Sequence, residues 1–271
     1  MVGRPQQKFH RRGLNTMPQL FLRAAVVIGV TASLASAGAR AAEVQVATAR
    51  YPLEAGGRLS IQNVKGSIEV QGWDRDQVEV TVVKTAPRAC GCLNQARVLA
   101  SPEAGGWLFT TVYTGSVKAP LRVDYLVRAP EELRLERVST LRGKIAIHNI
   151  EGAARADTLE GDIQETGVSG RLEARSLNGN IQVALRRMTG RGGGLSLETI
   201  NGNIELVLPP RPNAELELST VAGRIATPYA LEASSVPGDT MKLKRLGRGG
   251  ERLLLRTVRG NLSVEERAEI L

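Results

Sequence analysis

Residues 195–208 read LSLETINGNIELVL. Leu195, Leu197, Ile204, Leu206 and Leu208 recur at every second position on either side of Gly202, the two-residue period of strands with one buried face. Moving outward along the chain, the same pattern returns: apolar-x-apolar-x-(Ser/Thr)-apolar-x-Gly-x-(Ile/Leu). Its copies are LSIQNVKGSI (59–68), ERVSTLRGKI (136–145), ARADTLEGDI (154–163), LEARSLNGNI (172–181), LSLETINGNI (195–204), LELSTVAGRI (216–225) and LLLRTVRGNL (253–262). Asn63 replaces the Ser/Thr in the first copy, and Glu136 replaces the first apolar residue in the second.

The glycines at the centre of the copies are Gly66, Gly143, Gly161, Gly179, Gly202, Gly223 and Gly260, at intervals of 77, 18, 18, 23, 21 and 37 residues. Recurrence near 20 residues marks a repeat architecture. Two arrangements fit. In an antiparallel meander each glycine is a hairpin turn, and Asn178-Gly179 and Asn201-Gly202 suit that role. In a β-solenoid each repeat is one coil and equivalent side chains stack in rows. The common register of all copies, and the further pair Gly152 and Gly170 spaced 18 apart, favour the solenoid. The expectation is an all-β, single-domain, parallel β-helix-like solenoid of glycine-cornered repeats. The glycine is expected to supply φ > 0 at a corner. The Ser/Thr ahead of the turn is expected to bond nearby backbone and to form a ladder from coil to coil.

Insertion loops are expected near 88–114 and 230–250, where the pattern lapses. Trp73 is expected to cover an open edge of the core, and 265–271 to form a short helical cap, because terminal coils otherwise expose strand edges.

The 271 residues carry a formal charge of +9, which alone suggests a nucleic-acid or membrane partner. Six of the basic residues lie in 1–41, which holds no acidic residue, and removing them leaves 30 basic against 27 acidic residues. The same leader has a 14-residue uncharged run, Ala24–Ala37, followed by small-residue sites at Ala35-Ser36-Ala37 and Ala39-Arg40-Ala41. That is the order of a secretory signal peptide over 1–41, with Met17 as an alternative start. The run is short of the roughly 20 residues that span a bilayer. The solenoid domain is then expected over 42–271, in the periplasm or secreted. Aromatics at 3% argue against the stacking platforms of single-strand binders, so no nucleic-acid partner is expected.

The repeat resembles the putative adhesin family of bacterial β-strand-repeat proteins, an exported domain of unknown function. LETINGNIELVLPP (197–210), LRVDYLVRAPEELRLERV (121–138) and RLSIQNVKGSIEVQGWDRDQVEV (58–80) carry the likeness, which extends over roughly 50–264. It implies a β-solenoid of the cell envelope and brings no catalytic residues with it.

Chemistry-bearing residues are sparse. Cys90 and Cys92 are the only cysteines and are candidates for a disulfide in an oxidising compartment; unpaired or intermolecularly paired thiols, or a redox or metal role, are the alternatives. His148 is the only histidine after the leader and follows an inward Ile147, so it is expected to face out. Glu160, Asp162 and Glu165 are the nearest approach to an acidic cluster, read as a solvated face. Arg186, Arg187 and Arg191 form one basic patch, and Lys242, Lys244, Arg245 and Arg248 another. No cofactor or metal is expected. The function expected is a non-enzymatic, adhesin-like binding or scaffold module whose partner is an envelope protein or polysaccharide. The alternative is a polysaccharide lyase or hydrolase built on the same coils.

Overall fold

The computed structural model describes residues 28–30, 42–87, 90–114, 120–190, 193–233 and 241–268. The expected leader lies outside these residues except for Ile28–Val30, which pairs antiparallel with Val46–Thr48. Among the described residues, no helix is long and apolar enough to cross a membrane.

The chain is a β-solenoid, with two sheets of eleven strands each among the described residues. Each coil runs up one strand of sheet II, turns at its glycine, and runs back along one strand of sheet I. The Gly202 coil, for example, joins Gly194–Asn201 to Ile204–Leu208. Neighbouring coils pair in parallel with equivalent residues side by side: Leu172 lies beside Leu195 in sheet II, and Ile181 beside Ile204 in sheet I, with local register shifts near Ala154 and Thr166. The apolar positions of the repeat therefore form rows. Leu59, Leu135, Ala154, Leu172, Leu195, Leu253 and Leu216 make one, and Ile68, Ile145, Ile163, Ile181, Ile204 and Leu262 make another in the other sheet; all are buried.

Stacking order departs from chain order twice. The coil of Gly106–Tyr113 and Arg122–Pro130 lies outside the Gly66 coil that precedes it in sequence. At the other end Glu251–Arg259 inserts between Gly194–Asn201 and Ala214–Ala222, and Leu262–Glu266 inserts in the same way in sheet I. The long Gly223–Gly260 interval is this detour. The two stretches expected to be insertion loops thus carry strands of their own. Residues 88–114 include Ala96–Glu103 and Gly106–Tyr113, and 230–250 include Met241–Leu246. Ala96–Glu103 and Met241–Leu246 pair antiparallel along the two edges of sheet II, covering backbone that would otherwise be unpaired.

Trp73 lies in an interior coil, where its indole N–H donates to the Gln77 carbonyl. The end is closed instead by Trp107, whose ring lies tilted against Tyr51 with centroids 4.6 Å apart and whose indole N–H donates to the Pro52 carbonyl, while Phe109 makes an edge contact with Tyr51. Glu265 and Glu266, expected to begin a helical cap, end the strand Leu262–Glu266; residues 269–271 of that expectation lie outside the described ones.

The glycines meet two demands, and the expected one holds at five corners: Gly66, Gly143, Gly161, Gly202 and Gly260 have φ of 131, 155, 154, 158 and 155°. Gly179 and Gly223 do not adopt a left-handed φ. A Cβ on either would instead lie closer than 3.0 Å to the corner carbonyl of the adjacent coil, Gly161 and Gly260 respectively. The other corners repeat this contact, so the glycines themselves stack. The carbonyl each glycine presents accepts a hydrogen bond from the Ser/Thr of the next coil: Thr140 to Gly66, Thr158 to Gly143, Ser176 to Gly161, Thr199 to Gly179, Thr257 to Gly202 and Thr220 to Gly260, at 2.9–3.3 Å. The ladder expected from the sequence is present, and it bonds between coils. Asn63, the departure from pattern, fills the same role through Nδ2 to the Val123 carbonyl at 2.8 Å.

Candidate binding faces

Strand alternation leaves two outer faces. On sheet I the outward positions follow Ile68, Ile145, Ile163, Ile181, Ile204 and Leu262. One row reads Glu69, Ala146, Gln164, Gln182, Glu205 and Ser263; the next reads Gln71, His148, Thr166, Ala184, Val207 and Glu265. Polar members bond along the rows, His148 Nδ1 with Thr166 Oγ1 at 2.6 Å and Gln182 Nε2 to Glu205 Oε2 at 3.2 Å, and Lys144 Nζ at the corner donates to Gln164 Oε1 at 2.6 Å. His148 thus faces outward and belongs to a hydrogen-bonded row.

The position after each corner glycine adds a further row. The backbone N–H of Asn180, Asn203, Asn261 and Arg224 donates in turn to the side-chain oxygen of Asp162, Asn180, Asn203 and Asn261, at 2.8–2.9 Å. An asparagine fits here because its amide oxygen reaches the next coil about one strand spacing, ~4.8 Å, away.

Sheet II presents a different face. Two positions before each glycine stand Val64, Leu141, Leu159, Leu177, Ile200, Val258 and Val221, in that spatial order. Leu141, Leu159, Ile200, Val258 and Val221 are 52%, 41%, 44%, 39% and 69% exposed. Beside this aliphatic ladder, two residues further back, runs the row Ser139, Asp157, Arg175, Glu198, Arg256 and Ser219. A groove of about 540 Å³ lies between the two rows, floored by Thr140, Thr158, Ser176 and Thr199. An aliphatic row continuous over so many coils is unusual for a solvent-facing surface. The ladder was in the repeat pattern as the apolar residue after Ser/Thr. Parity shows its direction: with Leu195, Leu197 and Thr199 inward, Ile200 faces out.

Glu160, Asp162 and Glu165 are not brought together. Glu160 and Asp162 are exposed at the corner, while Glu165 takes a core position between Ile147 and Val183 and is 0% exposed. Neither carboxyl oxygen of Glu165 has a hydrogen-bond partner among the described residues, and burial pushes its pKa from 4.5 up to about 8. The same parity count, Ile163 in and Gln164 out, places it inward. Among the described residues no group of three His, Cys, Asp or Glu side chains converges as a metal site.

The first basic patch is neutralised. Arg186 contacts Glu131 and Glu151 at 3.4 and 3.1 Å, and Arg187 contacts Glu151 at 2.7 Å, which holds the Glu151 carboxyl below its usual range. Arg191 lies outside the described residues. In the second patch Lys244 is 3.9 Å from Glu232, and Arg245 donates to the Arg248 carbonyl. Cys90 and Cys92 are joined by a disulfide with Cα atoms 5.1 Å apart, just ahead of the short turn Leu93–Gln95.

The coils from Leu133 to Glu265, with the Gly143, Gly161, Gly179, Gly202, Gly223 and Gly260 corners, match the family model described as Toastrack DUF4097, over residues 133–265. The matched span holds the aliphatic ladder from Leu141 to Val258; the Gly66 coil and the coil outside it extend the same stack beyond it. The chain is also similar in structure to a "putative cell adhesion protein" from Clostridium sporogenes (8% identity over 81% of this chain and 99% of that one, TM-score 0.42). It is similar to a "putative adhesin" from Bacteroides fragilis (10% identity, 82% and 97%, TM-score 0.37) and to a "putative lipid binding protein" from Parabacteroides distasonis (8% identity, 82% and 97%, TM-score 0.29). These three likenesses carry no argument about function. No curated protein matches the chain.

Proposed function

We propose that this chain is a non-enzymatic, exported module of the cell envelope, adhesin-like, that holds an extended envelope polymer, protein or polysaccharide, along the outer face of sheet I. The observation that supports this is the pair of outward rows on that face. Amide, hydroxyl, imidazole and carboxylate groups recur there at the strand repeat of roughly 4.8 Å, in side chains already ordered by bonds such as His148–Thr166 and Gln182–Glu205. A polymer laid across the strands would meet donors and acceptors at each coil with little side-chain ordering left to do. The leader pattern over 1–41 supports export to the periplasm or beyond. The Cys90–Cys92 pair suits an oxidising compartment.

Binding of the purified protein to fractionated envelope polysaccharide and envelope protein tests this reading. The parent should retain one of the two fractions, and Gln164→Ala/Gln182→Ala should retain less of it. Retention unchanged by the substitutions would refute the face assigned. Cleavage of the polysaccharide, seen as new chain ends, would refute the non-enzymatic reading.

A further inference from the structure

The aliphatic ladder of sheet II lies on the face opposite the rows used above, and its flanking charges follow an order that selects its partner. Along the stack, Asp157, Arg175, Glu198 and Arg256 alternate in sign, with Ser139 and Ser219 at the ends. Read from the other end of the rod, every sign is reversed. The row is therefore complementary to its own reversed copy, with the point of reversal between Arg175 and Glu198.

We propose that two copies of this chain pack face to face through the sheet II ladder, related by a two-fold axis. The axis lies in the interface, parallel to the strands, between the Gly179 and Gly202 coils. Such an axis keeps each row opposite itself and reverses the order of coils. Arg175 then faces the partner's Glu198, and Asp157 faces the partner's Arg256, each pair occurring twice, as an isologous interface requires. The apolar row obeys the same operation: Leu177 meets the partner's Ile200, and Leu159 the partner's Val258. The row next to the glycines agrees, with Glu160 opposite the partner's Arg259 and Asn178 opposite the partner's Asn201.

Spacing and energetics suit this arrangement. Sheets pack face to face at about 10 Å, which allows Leu and Ile side chains from both faces to interdigitate. The ladder spans six inter-strand steps of roughly 4.8 Å, or about 29 Å, a length suited to a specific interface. Within one copy, Arg175 and Glu198 already lie 3.6 Å apart with about 44% and 37% of their side chains exposed. Pairing closes them into a four-charge cluster at the axis. The sheet I faces of the two copies then point away from each other, so the pair presents two separate binding faces and gains avidity for a polymer or surface.

Sedimentation velocity on the purified protein, with Arg175→Glu and Glu198→Arg, tests the proposal. The parent should dimerise. In Arg175→Glu, two carboxylates face two more across the axis; in Glu198→Arg, two guanidinium groups do the same. Each variant alone should dimerise at least about tenfold more weakly. An equimolar mixture should form a one-to-one heterodimer with near-parent affinity, because each changed residue then faces its opposite. A fold defect within one copy would not be rescued by mixing. A parent that stays monomeric up to about 100 µM, well above the micromolar end of specific interfaces, would overturn the proposal. So would variants that dimerise like the parent, or a mixture that stays monomeric. None of these results bears on envelope binding by sheet I, which is measured separately.

Discussion

Glu165 should make the stability of this solenoid fall as pH rises across the neutral range. Its carboxyl sits in the core row between Ile147 and Val183, fully buried, with no hydrogen-bond partner among the described residues. Burial raises its folded pKa from 4.5 to about 8. The folded state therefore binds this proton more tightly than the unfolded state. The contribution is fully present below about pH 4.5 and is lost as pH rises through about 8. At ~1.4 kcal/mol per pH unit, the full span costs about 5 kcal/mol, a large share of a domain's usual ~5–15 kcal/mol. Glu165→Val matches Val183 beside it and removes the titrating group. Urea unfolding of parent and variant, followed by circular dichroism from pH 5 to pH 8, isolates the effect because every other group titrates in both. The variant's advantage should grow by about 4 kcal/mol between those limits. Parallel pH profiles would refute the reasoning, since they would mean that the carboxyl finds water or a partner in the folded state.

The corner and core should respond unequally to small changes, and equilibrium unfolding measures each case. Gly202→Ala places a Cβ closer than 3.0 Å to the Gly179 carbonyl and should cost about 3 kcal/mol. Asn203→Ser, one residue on, loses only the bond accepted from the Asn261 N–H and should cost about 1 kcal/mol; equal losses would refute the stacked-glycine account. Leu197→Ala, fully buried, should cost about 2–5 kcal/mol, whereas Leu159→Ala, 41% exposed, should cost under about 1 kcal/mol in the dissociated protein. A larger loss at Leu159 than at Leu197 would mean that inside and outside have been assigned the wrong way round.

The architecture was legible because one alternation repeats in seven copies. Leu197, Thr199 and Ile204 define the inward set, and parity then assigns every neighbour. Carried through, the same parity places Ile200 and Leu159 outside and Glu165 inside, since the outward ladder and the buried acid obey the alternation as strictly as the core does. What the pattern could not show is which coils are neighbours. The repeat at 216–225 looks adjacent to that at 195–204, yet Glu251–Arg259 lies between them, because any copy can pair with any other through the same register. The edge strands Ala96–Glu103 and Met241–Leu246 were hidden for a related reason. An antiparallel strand that covers only one edge does not need the repeat's alternation or its glycine. The positive φ of corners such as Gly202 was legible from one copy, but the second demand on the glycine was not, because the atom that excludes a side chain belongs to the adjacent coil.

The insertion of the 251–266 coil also sets a schedule for the chain as it is made or exported from its N-terminal side. Coils up to Gly202 can each dock on an earlier neighbour. The 214–226 segment cannot, because its parallel neighbour has not yet emerged. Until it does, the edge of the Gly202 coil and the edge of the 214–226 segment that will face it are open to pairing with other chains, while Met241–Leu246 can already cover the other edge. Residues 251–266 act as a keystone placed last. A chaperone that holds 209–250 away from the growing stack would protect the interval in which this protein is most prone to aggregate.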